Sequence, residues 1–213
     1  MIQKNLILST VVAIFFMGCQ NDVEAQMNAD KPKVLNENLT EKFANVSPKL
    51  TSNNANPLLD FMFTADPTAV EYEGRIYVYA TNDHQQYEQV GKDGKNSYEK
   101  IRSLVMMSSD DMVNWTYHGL INTAELAPWT QNSWAPSITS RVEADGKTHF
   151  YLYFSNSGIG SAVLTSTSPV GPWKDPLGKN LVDRKVPSVK DVEEHFDPGV
   201  VIDDQGTDWL AFG

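Results

Sequence analysis

The sequence predicts an all-β fold, a β-propeller of which the 213 residues cover a little over two blades. Three observations predict it. A strand–turn–strand pattern opened by x-Pro recurs at Asp66-Pro67, Ala135-Pro136 and Asp197-Pro198, with starts 69 and 62 residues apart. A second pair of strand-like segments, ending in a tryptophan, recurs behind the first two of these starts. No extended helical period competes with either signal.

The chain opens with Lys4 and an apolar run over residues 6–17. That run is too short to span a bilayer and fits the h-region of a signal peptide. Cys19 follows Phe16-Met17-Gly18, and a small residue before a cysteine at the end of an h-region resembles a bacterial lipobox, with Phe16 where leucine is usual. Residues 1–18 therefore read as a lipoprotein-type signal peptide and Cys19 as the acylated first residue. An ordinary secretory signal with an incidental cysteine is the competing reading. Acyl chains contribute about 0.8 kcal/mol per buried methylene and would anchor the protein to a membrane. The expected location is that of an exported, bacterial membrane-anchored lipoprotein on the periplasmic or cell-surface side. Residues 19–55 are polar and weakly periodic, and read as a tether with one short helix at 39–45.

Residues 56–213 carry the repeats. The first hairpin runs Asp66-Pro67-Thr68-Ala69-Val70, turns at Glu73-Gly74, and returns through Ile76-Tyr77-Val78-Tyr79. The second runs Ala135-Pro136-Ser137-Ile138, turns at Asp145-Gly146, and returns through Phe150-Tyr151-Leu152-Tyr153. The third runs Asp197-Pro198-Gly199-Val200-Val201, turns at Gln205-Gly206, and returns through Trp209-Leu210-Ala211-Phe212. Glycine suits a turn that needs positive φ, and aromatic and β-branched residues suit strands. Third strands follow at Leu104-Val105-Met106-Met107-Ser108 and Ala162-Val163-Leu164-Thr165-Ser166, each serine seven residues before Trp115 or Trp173 on an expected fourth strand. Four antiparallel strands at a period above 40 residues describe propeller blades. A β-sandwich would space its strands evenly without repeating this order. The polar, Gly- and Lys-rich segment 84–100 reads as a loop. The chain stops in the second strand of the third repeat, and a propeller needs closure to protect its edges. A fragment of a longer protein, or a truncated gene product, is the expectation.

Charge and cysteine content narrow the partners. Against 17 basic residues stand 27 acidic ones, for a net charge of −10, so nucleic acid is excluded and a neutral glycan or small molecule is allowed. One cysteine permits no disulfide within the chain and no cysteine-based metal site. Asp203-Asp204-Gln205-Gly206 lacks the spacing and closing glutamate of a calcium loop and reads as a hairpin turn. No metal site is expected here and no cofactor is required. A structural calcium in a full-length propeller is compatible with the sequence but not indicated by it.

The innermost strand of each blade runs along the propeller axis, so residues at its start can face a shared funnel. Asp66 and Asp197 occupy that position in the first and third repeats and Ala135 in the middle one. Two convergent carboxylates suit glycosidic bond cleavage, one activating water and another protonating the leaving oxygen. The alternative is that Asp-Pro simply opens a strand. Trp134, just before the second such start, is a candidate for stacking on a sugar face, with blade-to-blade packing as the alternative. Asn82, Asp83 and His84 follow the second strand of the first repeat, and His195 lies two residues before Asp197; all four are candidate substrate-binding residues. The recurring Trp115 and Trp173 read as blade core, and His118 and His149 as ordinary strand or surface residues.

Together these pieces resemble glycoside hydrolase family 43. The carriers are Thr64-Ala65-Asp66-Pro67-Thr68-Ala69, Tyr77-Val78-Tyr79 with Thr81-Asn82-Asp83, and Ser133-Trp134-Ala135-Pro136-Ser137-Ile138. Tyr151-Leu152-Tyr153-Phe154-Ser155, His195-Phe196-Asp197-Pro198 and Asp203-Asp204-Gln205-Gly206 complete the likeness, which covers about 56–213. The resemblance implies a five-bladed propeller that hydrolyses arabinose- or xylose-containing plant polysaccharides with inversion. It implies that Asp66 is the general base and that Asp197 orients the site and tunes the general acid. A neighbouring negative charge keeps such an acid protonated at working pH. The family's acid is a glutamate in a Glu-Gly-Pro-like setting on a later blade. Glu73-Gly74 is a hairpin turn, and Glu193 and Glu194 have the wrong setting, so the acid is expected beyond Gly213 and the 213 residues alone are expected to show little turnover. Sucrose- and fructan-cleaving propellers carry Asn-Asp-Pro-Asn and Arg-Asp-Pro instead, which this chain lacks. A propeller that binds carbohydrate without cleaving it remains the alternative.

Overall fold

The computed structural model describes residues 57–213. The expected signal segment 1–18, Cys19, and the expected tether with its short helix lie outside the described residues. The first sheet comprises β1 (Ala65–Tyr72), β2 (Arg75–Thr81), β3 (Ser103–Ser109) and β4 (Thr116–Asn122), antiparallel and in chain order. The second repeats it with β5 (Trp134–Val142), β6 (Thr148–Ser155), β7 (Gly160–Ser166) and β8 (Val182–Asp183). A hairpin of β9 (Gly199–Ile202) and β10 (Asp208–Ala211) begins a third. The fold is a partial β-propeller of two blades and one hairpin, with β1, β5 and β9 as neighbouring innermost strands.

Each hairpin turns where the sequence places glycine. Gly74, Gly146 and Gly206 hold φ of +76°, +76° and +79°, which a side chain would resist. Between the blades, aromatic and aliphatic side chains interdigitate. Phe150, Leu152, Phe154 and Leu164 of the second sheet pack against Tyr79, Leu104, Met106 and Ile121 of the first. The Tyr72 and Phe150 rings meet edge to face at 5.1 Å, and the Tyr79 and Trp173 rings at 5.9 Å. The outer face of the first blade is covered too, by Leu59, Met62, Val78, Val105, Met107, Trp115 and Tyr117. Strand β3 is therefore buried along its whole length, which is why Leu104-Val105-Met106-Met107 reads as a continuous apolar run rather than an alternation.

A row of hydroxyls ties the innermost strands together, in register with the repeat. Thr68 Oγ1 accepts from Ile138 N at 3.2 Å, and one blade later Ser137 Oγ accepts from Val200 N at 3.0 Å. Thr81 Oγ1 accepts from Ala135 N at 2.8 Å, and Ser155 Oγ accepts from Asp197 N at 2.7 Å. Each bond satisfies a backbone donor at the open edge of an innermost strand or at its start.

Two expectations change. Segment 84–100 is not all loop: helix α1 (Asp83–Val90) occupies its first half. Its residues are almost wholly polar, so no apolar stripe betrays it. The helix is held by its cap and by side-chain bonds. Asn82 Oδ1 accepts from Gln85 N at 3.2 Å, and Gln85 Oε1 accepts from Arg102 N at 2.7 Å. The fourth strand of the second blade is also not the tryptophan segment. Trp173 is buried, but only Lys174 beside it bridges β7, at Thr165, while β8 pairs with Gly160 and Ser161. A second, four-residue helix, α2 (Thr123–Leu126), follows β4.

Candidate active site

The site begins with backbone geometry at the three x-Pro starts. Asp66, Ala135 and Asp197 all take left-handed backbone, with φ of +50°, +42° and +51°. A following proline disfavours the right-handed helical region for the residue before it. A non-glycine residue at positive φ is strained by about 1–2 kcal/mol and persists where its surroundings hold it. Here the holding groups are the hydroxyls of the preceding blade, Thr81 for Ala135 and Ser155 for Asp197. The strand register slips at the same step, between Ala65 and Thr68 in β1 and between Trp134 and Ser137 in β5. Such a bulge re-aims a side chain out of the pleat.

The result is a cavity of about 400 Å³ lined by Asp66, Asp83, Asp197, Thr81, Tyr98 and Trp134, together with Ala65, Ile101 and Phe196. Asp66 and Asp197 come from positions far apart in the chain, and both are exposed to solvent. The Thr81 hydroxyl, 3.4 Å from Asp66 Oδ2, faces that carboxylate while accepting from Ala135. Burial, and then the negative charge of Asp66, push the Asp197 carboxyl above its ordinary range. The same two causes, in the same order, raise the half-buried Asp83. Three acidic groups thus share one opening, and the Asp66 charge disfavours ionisation of the other two. Among the described residues, no three His, Cys, Asp or Glu side chains are grouped to hold a metal ion. The chemistry open to this arrangement is proton transfer to and from a neutral ligand, by carboxylates poised at different affinities for the proton.

The sign of that coupling is testable. Replacing Asp66 with asparagine removes one charge that raises its neighbours, so Asp197 and Asp83 are both expected to titrate at lower pH. Carboxyl carbon shifts followed through a pH series measure this. Unchanged titration of both groups would show that Asp66 does not face them.

The other candidates fall elsewhere. Asn82 is only 2 % exposed; besides capping α1, its Nδ2 donates to Ser103 Oγ at 2.9 Å, and it does not line the cavity. His84 lines a separate groove, its ring edge-on to Phe63 at 5.0 Å and its Nε2 3.7 Å from Glu88. His195 is fully buried, bonded through Nε2 to the Val189 carbonyl at 3.0 Å and stacked on Phe212 at 5.6 Å. It supports the segment that delivers Asp197 rather than facing the opening. Trp134 does line the cavity, and its Nε1 donates to the Tyr98 carbonyl at 3.1 Å. Thr81 and Tyr98 are additions that the sequence reading passed over. Thr81 had a signal, since it is the repeat equivalent of Ser155. Tyr98 had none, because it lies in an irregular stretch that matches nothing in the second blade.

Comparison with known proteins agrees with the propeller fold. The family model described as glycosyl hydrolases family 43 matches residues 54–213. The chain is 44 % identical over 169 residues to an arabinoxylan arabinofuranohydrolase of Bacillus subtilis (strain 168), covering 75 % of this chain and 33 % of the relative. It is 41 % identical over 169 residues to an arabinoxylan arabinofuranohydrolase of Paenibacillus polymyxa, covering 75 % and 26 %. A crystal structure of the family 43 arabinoxylan arabinofuranohydrolase from Bacillus subtilis, in complex with cellotetraose, superposes with a TM-score of 0.69 at 42 % identity, covering 76 % of this chain and 35 % of that one. An α-L-arabinofuranosidase structure from Clostridium thermocellum gives 0.57 at 40 % identity, covering 71 % and 47 %. The chain spans a third or less of the length of these two curated relatives. With the family model matching about three quarters of its residues, and with the blade repeat and paired aspartates that the structure displays, the chain belongs to glycosyl hydrolases family 43.

Proposed function

We propose that the protein hydrolyses glycosidic bonds in arabinose- or xylose-containing plant polysaccharides, with inversion at the anomeric carbon. Asp66 is the general base that takes a proton from the attacking water. Asp197 tunes the general acid and orients the site. The acid itself is a glutamate outside the cavity wall described here, whose lining holds three aspartates and no glutamate. The single observation that carries the reading is that Asp66 and Asp197, from the starts of β1 and of the third hairpin, line one solvent-open cavity beside Trp134. Inversion leaves room for water between base and acid, whose carboxyls stand about 6.5–9.5 Å apart in such enzymes. The names of the relatives favour an arabinofuranosyl group as the unit released.

The experiment is to follow an aryl α-L-arabinofuranoside by proton NMR during the first minutes of hydrolysis by the full-length protein. The β-anomer of arabinose is expected to appear first. First appearance of the α-anomer would refute inversion and Asp66 as base to water. The solvent-open cavity with Trp134 in its wall also suits a second reading, a propeller that holds the glycan without cleaving it. Calorimetric binding of an arabinoxylan oligosaccharide with no sugar released would establish that one instead.

A further inference from the structure

We infer that Tyr98 is a substrate-binding residue, whose ring forms with Trp134 an aromatic wall for the sugar unit next to the one being released. This deepens the function proposed above and rests on it. Tyr98 lies between α1 and β3, in the stretch that the second blade lacks. The residue is 50 % exposed and lines the same cavity as Asp66 and Asp197. Among the described residues the ring makes no hydrogen bond, so it is free to meet a ligand.

The backbone under that ring is strained and firmly held. Tyr98 has φ of +59°, a conformation that a bulky aromatic residue avoids. Its carbonyl accepts from Trp134 Nε1 at 3.1 Å, Asn132 Nδ2 at 3.3 Å and Ile101 N at 3.3 Å. Its own N–H donates to Asn96 Oδ1 at 3.3 Å. The flanks are fastened to α1, because the buried Gln86 accepts from Lys100 N at 2.8 Å and donates to the Lys95 carbonyl at 3.3 Å. These bonds maintain the strain while half of the residue's surface stays in solvent. Such strain gathers at ligand sites, where surrounding contacts over-determine it.

The ligand chemistry follows from the ring. The negative face of an aromatic ring matches the weakly positive C–H face of a sugar, and a ring locked in place loses little entropy on contact. The Trp134 indole is fixed by its bond to the Tyr98 carbonyl, so the two aromatic residues are one unit. The carboxylates sit on the strand starts, and Tyr98 stands on the loop beside them, half in solvent. A neutral glycan chain leaving the carboxylates past this loop meets the ring with its second unit, so Tyr98 discriminates a polymer from a methyl glycoside, which places no ring there.

The test compares an arabinoxylan oligosaccharide with methyl α-L-arabinofuranoside in steady-state kinetics of the full-length protein. In Tyr98→Ala, KM for the oligosaccharide is expected to rise about tenfold more than KM for the methyl glycoside. Tyr98→Phe is expected to keep the wild-type ratio, since the face and not the hydroxyl binds. Tyr98→Gly accepts the positive φ, so its Tm is expected to hold or rise while it shows the same selective loss as alanine. Equal effects on both substrates, or a fall in Tm with glycine, would mark Tyr98 as a structural residue and overturn the proposal. If the wild-type protein releases no sugar, the hydrolase reading fails separately. The comparison is then made by calorimetry with the oligosaccharide, where weaker binding by Tyr98→Ala supports the wall. Unaltered binding, or none by the wild-type protein, removes it.

Discussion

Replacing Asp66 with alanine is expected to lower kcat on an aryl α-L-arabinofuranoside by about 10²–10⁴-fold, with KM changed far less. The expectation follows from where the group stands. Asp66 is exposed on a cavity it shares with Asp197, and no lysine, arginine or histidine is among the described residues that line it. A carboxylate in that position can accept a proton from water as the water attacks. Alanine leaves the cavity and its aromatic wall in place but removes the acceptor. Water must then attack without a base, which loses the general-base contribution and leaves substrate contacts largely intact. Because Asp66 is at positive φ, alanine neither relieves nor adds much backbone strain, and the melting temperature serves as the control for folding. Turnover by the variant within tenfold of the wild type would remove Asp66 from the base role and with it the proposed mechanism.

The second large effect concerns stability. Phe150→Ala is expected to cost about 3–5 kcal/mol. The ring is completely buried on β6, packed in the cluster that joins the two blades, and set edge to face against Tyr72 of β1. Truncation removes transfer free energy and leaves a void where the neighbours on both sheets cannot follow. The loss therefore falls on the blade joint as well as on the second blade. A large drop in the urea midpoint, at an unchanged slope, is the signature. Val142 on β5 supplies the comparison: it is 68 % exposed, and its replacement by alanine is expected to stay within about 0.5 kcal/mol of the wild type. Similar midpoints for the two variants would show that the joint is not closely packed.

The two predictions draw on different parts of the sequence. Phe150 belongs to a hairpin whose x-Pro start, glycine turn and aromatic return strand are all written locally. Periodicity of two and a turn residue that tolerates positive φ are properties of neighbouring residues, so they survive in a linear reading. The same holds for the third strands and for the buried tryptophans, which recur at a constant offset. Asp66 and Asp197 were also legible, though only through the repeat: equal positions in equal blades point to the same axis.

Helix α1 was not legible. Its stability comes from an asparagine cap and from glutamines that bond to Lys100, Arg102 and Lys95 several residues away, not from an apolar stripe. The fates of the candidates flanking the aspartates follow the same division. Asn82 and Asp83 are adjacent, yet the first turns inward to cap the helix and the second lines the cavity. His195 reads like a site residue beside Asp197, but the stack on Phe212 and the bond to the Val189 carbonyl bury it.

By itself the sequence determined the blade repeat, the positions of its turns and the two acidic strand starts, because backbone preference and side-chain alternation act over a few residues. Only the tertiary structure decided that Thr81, Asp83 and Tyr98 join those aspartates, that the residue before each conserved-in-repeat proline is left-handed, and that Asn82 and His195 face inward. Those outcomes depend on how one sheet packs against the next and on which hydroxyl meets which backbone N–H across the joint, distances that no spacing along the chain encodes.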